Sequence, residues 1–228
     1  MAEDWSAHLD REERRYRDGE ERLPDDPDER QRQLTRIGNA AGGAGLALLM
    51  AGRADDAAEW LDRAARRYRE SYGDAPPGSW GRPIGALKAR ILAGDWPEAE
   101  GEARWTLAEG AAGSESPIGR YAGALALLTL ERYDDARTVA DSLRERDDFP
   151  RDVADALATL AAEDVLGYRY AVESVLESFE RRDAYLEDMP VADTVIVLQA
   201  LAARRGLAAA LSSPLLSPSP LRSPGGDA

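Results

Sequence analysis

Two aspartate pairs, Asp55-Asp56 and Asp134-Asp135, are the residues of this chain whose type and spacing come closest to catalytic chemistry. Two carboxyls at a suitable separation can divide the work of general acid and nucleophile or base, as in glycoside hydrolysis. Both pairs, however, stand just ahead of an alanine, Ala57 or Ala136, at equivalent places in a recurring motif. There a carboxylate favours a helix N-terminus by capping it and by meeting the positive end of its dipole. That account covers both pairs at once, so they read as helix starts. His8 is the only histidine and there is no cysteine, which leaves no thiolate metal site, no cysteine nucleophile and no Ser-His triad to assemble. Gly38-Asn-Ala-Ala-Gly-Gly-Ala-Gly45 has the glycine density of a phosphate loop without its Gly-Lys-Ser/Thr ending or a preceding strand. Gly42, Gly43 and Gly45 are expected instead where helices approach closely. The expectation is a non-enzyme with no catalytic residue, no metal site and no cofactor.

What remains is an aromatic and cationic group: Trp80, Arg82, Lys88, Arg90, Trp105, Arg120 and Tyr121. Trp and Arg carry much of the binding energy at protein interfaces, so these seven are the candidate partner-binding residues. The competing account puts Trp80, Trp105 and Tyr121 in the core and pairs the arginines with the abundant acids.

The elements that would position these residues announce themselves by repetition. Ala51-Gly-Arg-Ala-Asp-Asp-Ala57, Ala93-Gly-Asp-Trp-Pro-Glu-Ala99 and Leu130-Glu-Arg-Tyr-Asp-Asp-Ala136 each close one apolar segment and open another. A period of about 35 to 45 residues built of paired helices is the mark of a helical solenoid. Pro83, Pro117, Pro150 and Pro190 each precede an apolar stretch, as proline does at the first turn of a helix. Ser116 is the expected cap before Pro117. The predicted pairs are 31–51 with 54–72, 83–93 with 96–110, 117–130 with 133–146, and 150–162 with 165–182. A capping helix over 190–205 ends at Gly206. No stretch alternates as a strand does. The fold class is therefore all-α, a right-handed α-α superhelix of about four helix pairs plus a capping helix. It divides into a charged segment 1–30 with one short helix (apolar stripe Trp5, Leu9, Tyr16), a helical-repeat domain 31–211, and a Ser/Pro-rich tail 212–228 expected to lack order.

Composition narrows the partners. The 228 residues are 43% hydrophobic and 32% charged, enough to fold, with a net charge of −14. Nucleic-acid binding draws on Lys and Arg releasing counterions, so neither nucleic acid nor an anionic membrane is an expected partner; a protein or peptide partner is expected to be basic or neutral. All but one of the 29 cationic residues are arginine, the exception being Lys88. An acidic, lysine-poor surface suits a halophilic protein, and a GC-rich genome produces the same bias. Residues 1–5 carry no basic or apolar leader, and the most apolar runs, 40–51 and 191–203, fall short of the roughly 20 residues of a span. The expected location is cytoplasmic.

Two resemblances follow from these residues. Gly45, Leu48, Gly52, Ala57, Leu61 and Ala64 fall where the tetratricopeptide motif places small or apolar residues; Gly94, Trp96 and Ala99, then Tyr133, Ala136 and Ala140, continue it. The chain resembles tetratricopeptide repeats over about 38–182, which implies a solenoid with a concave binding face. Arg90 and Glu131 depart from the motif. In the C-terminal third, a long amphipathic helix, Tyr170 to Tyr185, precedes Ala202-Ala-Arg-Arg-Gly-Leu207 and Ser213-Pro-Leu-Leu216. This order resembles the end of the immunity protein 49 family, and implies an all-helical protein that neutralises a toxin.

Overall fold

The structure is a computed structural model that describes residues 4–218. Among them lie ten α-helices, two single-turn 3-10 segments and no strand. The helices are α1 (Trp5–Glu21), α2 (Pro27–Met50), α3 (Ala54–Tyr72), α4 (Gly81–Leu92), α5 (Trp96–Ala108), α6 (Pro117–Thr129), α7 (Tyr133–Arg144), α8 (Arg151–Ala161), α9 (Val165–Glu180) and α10 (Asp193–Arg204). The all-α expectation holds, and each predicted helix is present to within a few residues at its ends.

The differences lie at helix starts and have local causes. Helix α2 begins at Pro27 rather than Gln31, because Asp26 caps it through Oδ1, which accepts from Glu29 N–H at 2.9 Å. Pro27 then occupies the first turn, where no N–H is needed. Pro190, by contrast, precedes two residues without regular structure, and α10 starts only at Asp193. Ser116 holds the N-cap position of α6 without capping it; Ser114 Oγ instead accepts from Ser116 N–H at 3.2 Å. The aspartate pairs do lie in the first turns of α3 and α7, but not as caps. The N-cap positions belong to Arg53 and Arg132, which pair at 2.7 Å with Asp56 and Asp135.

One turn recurs at the end of every even-numbered helix from α2 to α10. A residue at positive φ follows the helix (Gly52, Gly94, Glu131, Glu163, Gly206), and the next residue's N–H reaches back five positions to a carbonyl. Arg53 bonds Leu48 O, Asp95 bonds Arg90 O, Arg132 bonds Leu127 O, Asp164 bonds Thr159 O and Leu207 bonds Ala202 O. This is the Schellman closure, which satisfies carbonyls the helix leaves open. Glycine enters the left-handed region without a steric cost; Glu131 and Glu163 do so against one. The repeat signal in the sequence is this turn.

The chain divides into two compact units. Unit 1 holds residues up to Asp95, the loop Ala184–Val191 and the described chain from Leu216. Unit 2 holds Trp96–Asp183 and Ala192–Leu215. The division falls inside the predicted pair 83–93 with 96–110, so the segment read as one repeat domain, 31–211, contributes to both units. In unit 1, α1 to α4 pack each on the next, and in unit 2 so do α5 to α9, with α10 against α8 and α9. The charged leader is thus the site of a full helix, α1, packed on α2; Glu12 and Gly19 are buried there while Trp5, Leu9 and Tyr16 are half-buried. Of the tail, residues 219–228 lie outside the described residues. Residues 212–218 carry no helix and are tied by their own bonds: Ser213 Oγ donates to Glu180 at 2.7 Å, and Ser217 Oγ to Leu49 O at 3.2 Å. No helix among the described residues is long and apolar enough to cross a membrane.

Candidate functional site

The seven predicted partner-binding residues are split between the units: Trp80, Arg82, Lys88 and Arg90 belong to unit 1, and Trp105, Arg120 and Tyr121 to unit 2. Three of them are core. Trp80 and Tyr121 are buried, and the Tyr121 ring packs at a tilt against Phe149 with ring centroids 5.7 Å apart. Arg90, the departure from the repeat pattern, is buried in α4 because Asp62 of α3 neutralises it at 2.5 Å, with Asp95 at 3.7 Å. Buried side chains with such partners present no surface to a ligand. Trp105 is half-buried and its Nε1 donates to Glu109 at 3.0 Å; Lys88 is half-buried on α4. Arg120 Nε donates to Ser114 O at 2.8 Å. Arg82 alone of the group has a guanidinium whose acceptor is neutral and whose Nε has none: it bonds Gln31 Oε1 of α2, and burial lowers its pKa.

Sequence reasoning missed a polar network inside unit 1. Glu12 of α1 is fully buried and accepts from Arg15 Nη1 at 2.9 Å and Arg11 Nε at 2.7 Å. Arg15 also pairs with Glu187, whose other oxygen accepts from Asn39 Nδ2 at 2.9 Å; Asn39 Oδ1 accepts from the Tyr68 hydroxyl at 2.9 Å. Burial pushes the Glu187 carboxyl up, but the hydrogen bonds from Arg15 and Asn39 and the Arg15 charge outweigh it and hold the pKa low. Glu187 and Asp188 both sit at positive φ in the loop that carries this carboxylate, while Arg11 Nη2 donates to Glu187 O at 2.8 Å. The glycines make the room. A Cβ at Gly43 would stand 2.9 Å from Glu12 Cγ, and one at Gly38 or Gly85 would meet the Tyr68 ring at 3.1 or 2.7 Å. The close approach read from Gly42, Gly43 and Gly45 is thus realised at Gly43 and at Gly45, which accommodates Leu61, and is loose at Gly42. Gly38 and Gly43 of α2 were the hints in the sequence that large side chains, Tyr68 and Glu12, fill the gaps.

Unit 2 carries a second unforeseen arrangement, the twin arginines that end α10. Arg204 Nη1 donates to Thr129 O at the end of α6, pairs with Glu131 at 2.6 Å and lies over the Trp96 ring at 4.4 Å. Arg205 repeats the pattern one hairpin on: Leu160 O and Ala161 O at the end of α8, Glu163 at 3.1 Å, and the Tyr133 ring at 3.9 Å. Each arginine satisfies open helix carbonyls, stacks on the aromatic that opens a second helix, and neutralises the glutamate held in the strained turn.

The same register in the last hairpin is bare. Val165, Leu166 and Tyr170 at the start of α9 are 57%, 65% and 69% exposed. Counted from the positive-φ residue, Leu166 and Tyr170 stand where α3 has Asp55 and Glu59, α5 has Pro97 and Gly101, and α7 has Asp134 and Thr138. Val165 stands where α5 has the covered Trp96 and α7 the covered Tyr133. Scattered exposed apolar residues are ordinary, but here Leu166 and Tyr170 stand one turn apart on the same side of the helix with Val165 beside them. Below them Tyr168 is fully buried, its hydroxyl donating to Gln199 Oε1 at 3.0 Å, so the helix that presents the face is firmly seated. No group of acids and His8 among the described residues is placed to hold a metal ion. No protein-family model, no curated protein and no solved structure matches this chain.

Proposed function

We propose that the chain is a non-enzymatic, protein-binding helical-repeat protein, and that the exposed start of α9 is where a partner docks. The observation that carries this reading is the exposure of Leu166 and Tyr170 at positions where the earlier hairpins are polar, Gly or Pro, beside an equally exposed Val165 where α5 and α7 have a covered aromatic. The recurring Schellman turns support a tetratricopeptide-like, right-handed solenoid as the finer architecture. The acid pairs favour binding over hydrolysis, since Asp56 and Asp135 are each engaged by the arginine at the head of their own helix. The most specific version is an immunity protein that neutralises a toxin in the cytoplasm. A net charge of −14 suits a basic partner, by complementary potential and fast association, and suits a halophilic setting equally.

A second reading, a tetratricopeptide-like adaptor that binds a peptide or regulator, is favoured by the guanidinium of Arg82, which bonds only the amide oxygen of Gln31. The two readings divide on mutation. Capture of partners from native lysate, at the salt concentration where the protein is folded, is expected to yield one stoichiometric protein with the natural chain. On the first reading Leu166→Glu together with Tyr170→Glu abolishes that capture while leaving the melting temperature unchanged; capture that survives the pair overturns the α9 assignment.

A further inference from the structure

We infer that Arg82 is a carboxylate-binding anchor, recognising an acidic side chain or a free C-terminal carboxylate presented by a protein partner; the protein origin of the carboxylate rests on the binding function proposed above, whereas the carboxylate chemistry does not. Most other half-buried or buried arginines have their charge met within the chain. Arg15 has Glu12 and Glu187, Arg67 has Glu20 and Glu70, Arg90 has Asp62, Arg144 has Asp155, and Arg204 and Arg205 have Glu131 and Glu163. Arg120 lacks a carboxylate too, but its Nε is satisfied by the Ser114 carbonyl. Arg82 has only the amide oxygen of Gln31.

That amide cannot do more. Gln31 is buried, and its Nε2 is spent on Asp28 Oδ1 at 3.1 Å, which fixes the side chain and leaves Oε1 to Arg82. The first turn of α4 contains no acid. Buried Nε therefore stays without an acceptor. A guanidinium offers five N–H donors in a planar fork that matches a carboxylate, and charge-assisted bidentate pairs are the strong kind. Desolvation without an anion is unfavourable for a guanidinium, and a carboxylate arriving from outside would relieve it.

Arg82 is half-buried rather than sealed: its Nε is closed to solvent, and a carboxylate would meet the exposed part of the guanidinium. Trp80 beneath is buried, which holds the first turn of α4 in place. The net negative charge of the chain does not forbid an acid here. At physiological salt the Debye length is about 8 Å, so a contact with one guanidinium outweighs charges lying farther off. The partner this describes is neutral or basic overall and presents one exposed carboxylate.

The test follows the side-chain Nε–Hε resonance of Arg82 in the nitrogen-15-labelled full chain, assigned by its loss in Arg82→Gln. The probes are sodium acetate against sodium chloride at matched ionic strength, then two short peptides. One carries only an aspartate side-chain carboxylate, its C-terminus being amidated; the other carries only a free C-terminal carboxylate. The expected result is a saturable shift with acetate and none with chloride, with binding of one peptide at least tenfold tighter than acetate; whichever peptide wins identifies the source. Arg120→Gln is expected to leave the titration unchanged. Should Arg82→Gln not fold, Arg82→Lys keeps the charge without the fork, and a loss of at least threefold in acetate affinity is expected. A shift that never saturates, or one that chloride reproduces, overturns the inference. Saturation with no protein captured from lysate would keep the anchor and remove the binding function; capture without saturation would do the reverse.

Discussion

In unit 1, helices α1 to α3 and the loop Ala184–Val191 share a fully buried carboxylate, Glu12, with two arginines, a second carboxylate and an Asn39–Tyr68 pair behind it. In unit 2 the interior of α6 and α8 is mostly alanine and leucine; its buried threonines, Thr106 and Thr129, bond carbonyls of their own helices, and Arg204 and Arg205 stand at helix ends. The same hairpin and turn are therefore stabilised in two ways. Unit 1 specifies its packing through a polar network that must be complete, because an unpaired buried charge is costly. Unit 2 relies mainly on close packing, with a single buried carboxylate among its described residues, Glu102 of α5, and with Arg204 and Arg205 placed where helix carbonyls need donors.

The sharpest way to break this comparison is to delete the charge on which unit 1 is built. Glu12→Ala leaves Arg11 and Arg15 without their shared partner and opens a space facing Gly43; it is expected to cost about 3 kcal/mol, read from denaturant unfolding. A cost below that of an ordinary surface change would mean that the network is ornamental. Unit 2 should respond to volume instead. At Gly123 of α6 a Cβ would stand 2.6 Å from the backbone of Ala112, which cannot swing aside as a side chain can. Gly123→Ala is expected to lose about 2 kcal/mol net of its gain in helix propensity, whereas Gly101→Ala, facing open space on α5, should gain about 1 kcal/mol.

Acid offers a gentler probe of the same contrast. The pKa of Glu187 is lowered in the folded protein, so its contribution is complete above the unfolded value, near 4.5, and is lost as pH falls through the lowered one. Glu187→Gln should therefore flatten the fall of stability below about pH 5, by a modest amount because Arg15 and Glu187 are partly exposed to solvent. An unchanged acid profile would mean that the Arg15 pair contributes nothing. The smallest expected effect is in unit 2. Glu163→Gly relieves a residue at φ 59° and gives up an ion pair with an exposed glutamate, for a net stabilisation of about 0.5 kcal/mol. A loss instead would show that Arg205 draws more from Glu163 than from the Leu160 and Ala161 carbonyls.

The fold was legible where local chemistry repeats. Gly52, Gly94 and Gly206 mark helix ends because glycine is the residue that turns left-handed freely, and the apolar runs between them have helical period. Glu131 and Glu163 make the same turn without a glycine; the helix breaks there were still legible from the flanking pattern, whereas the compensating arginines were not, because they lie far along the chain. The unit boundary at Asp95 was not legible, because a hairpin motif reports its own turn and not how neighbouring helices share a core. Of the candidate residues, Trp80, Arg90 and Tyr121 could be read either as hot spots or as core and ion-paired, because residue type does not reveal burial; their burial follows the second account, with Asp62, which neutralises Arg90, a hairpin away. The bare start of α9 was hidden for the opposite reason. Apolar residues recur along α9 on more than one side, and only packing shows that the core took Tyr168, Val172 and Val175 and left Val165, Leu166 and Tyr170 exposed.

The measurement that bears most directly on the binding account is capture from native lysate by the natural chain and by Leu166→Glu with Tyr170→Glu, compared at equal melting temperature. The account predicts one stoichiometric partner with the natural chain and none with the variant. A partner retained equally by both would contradict it.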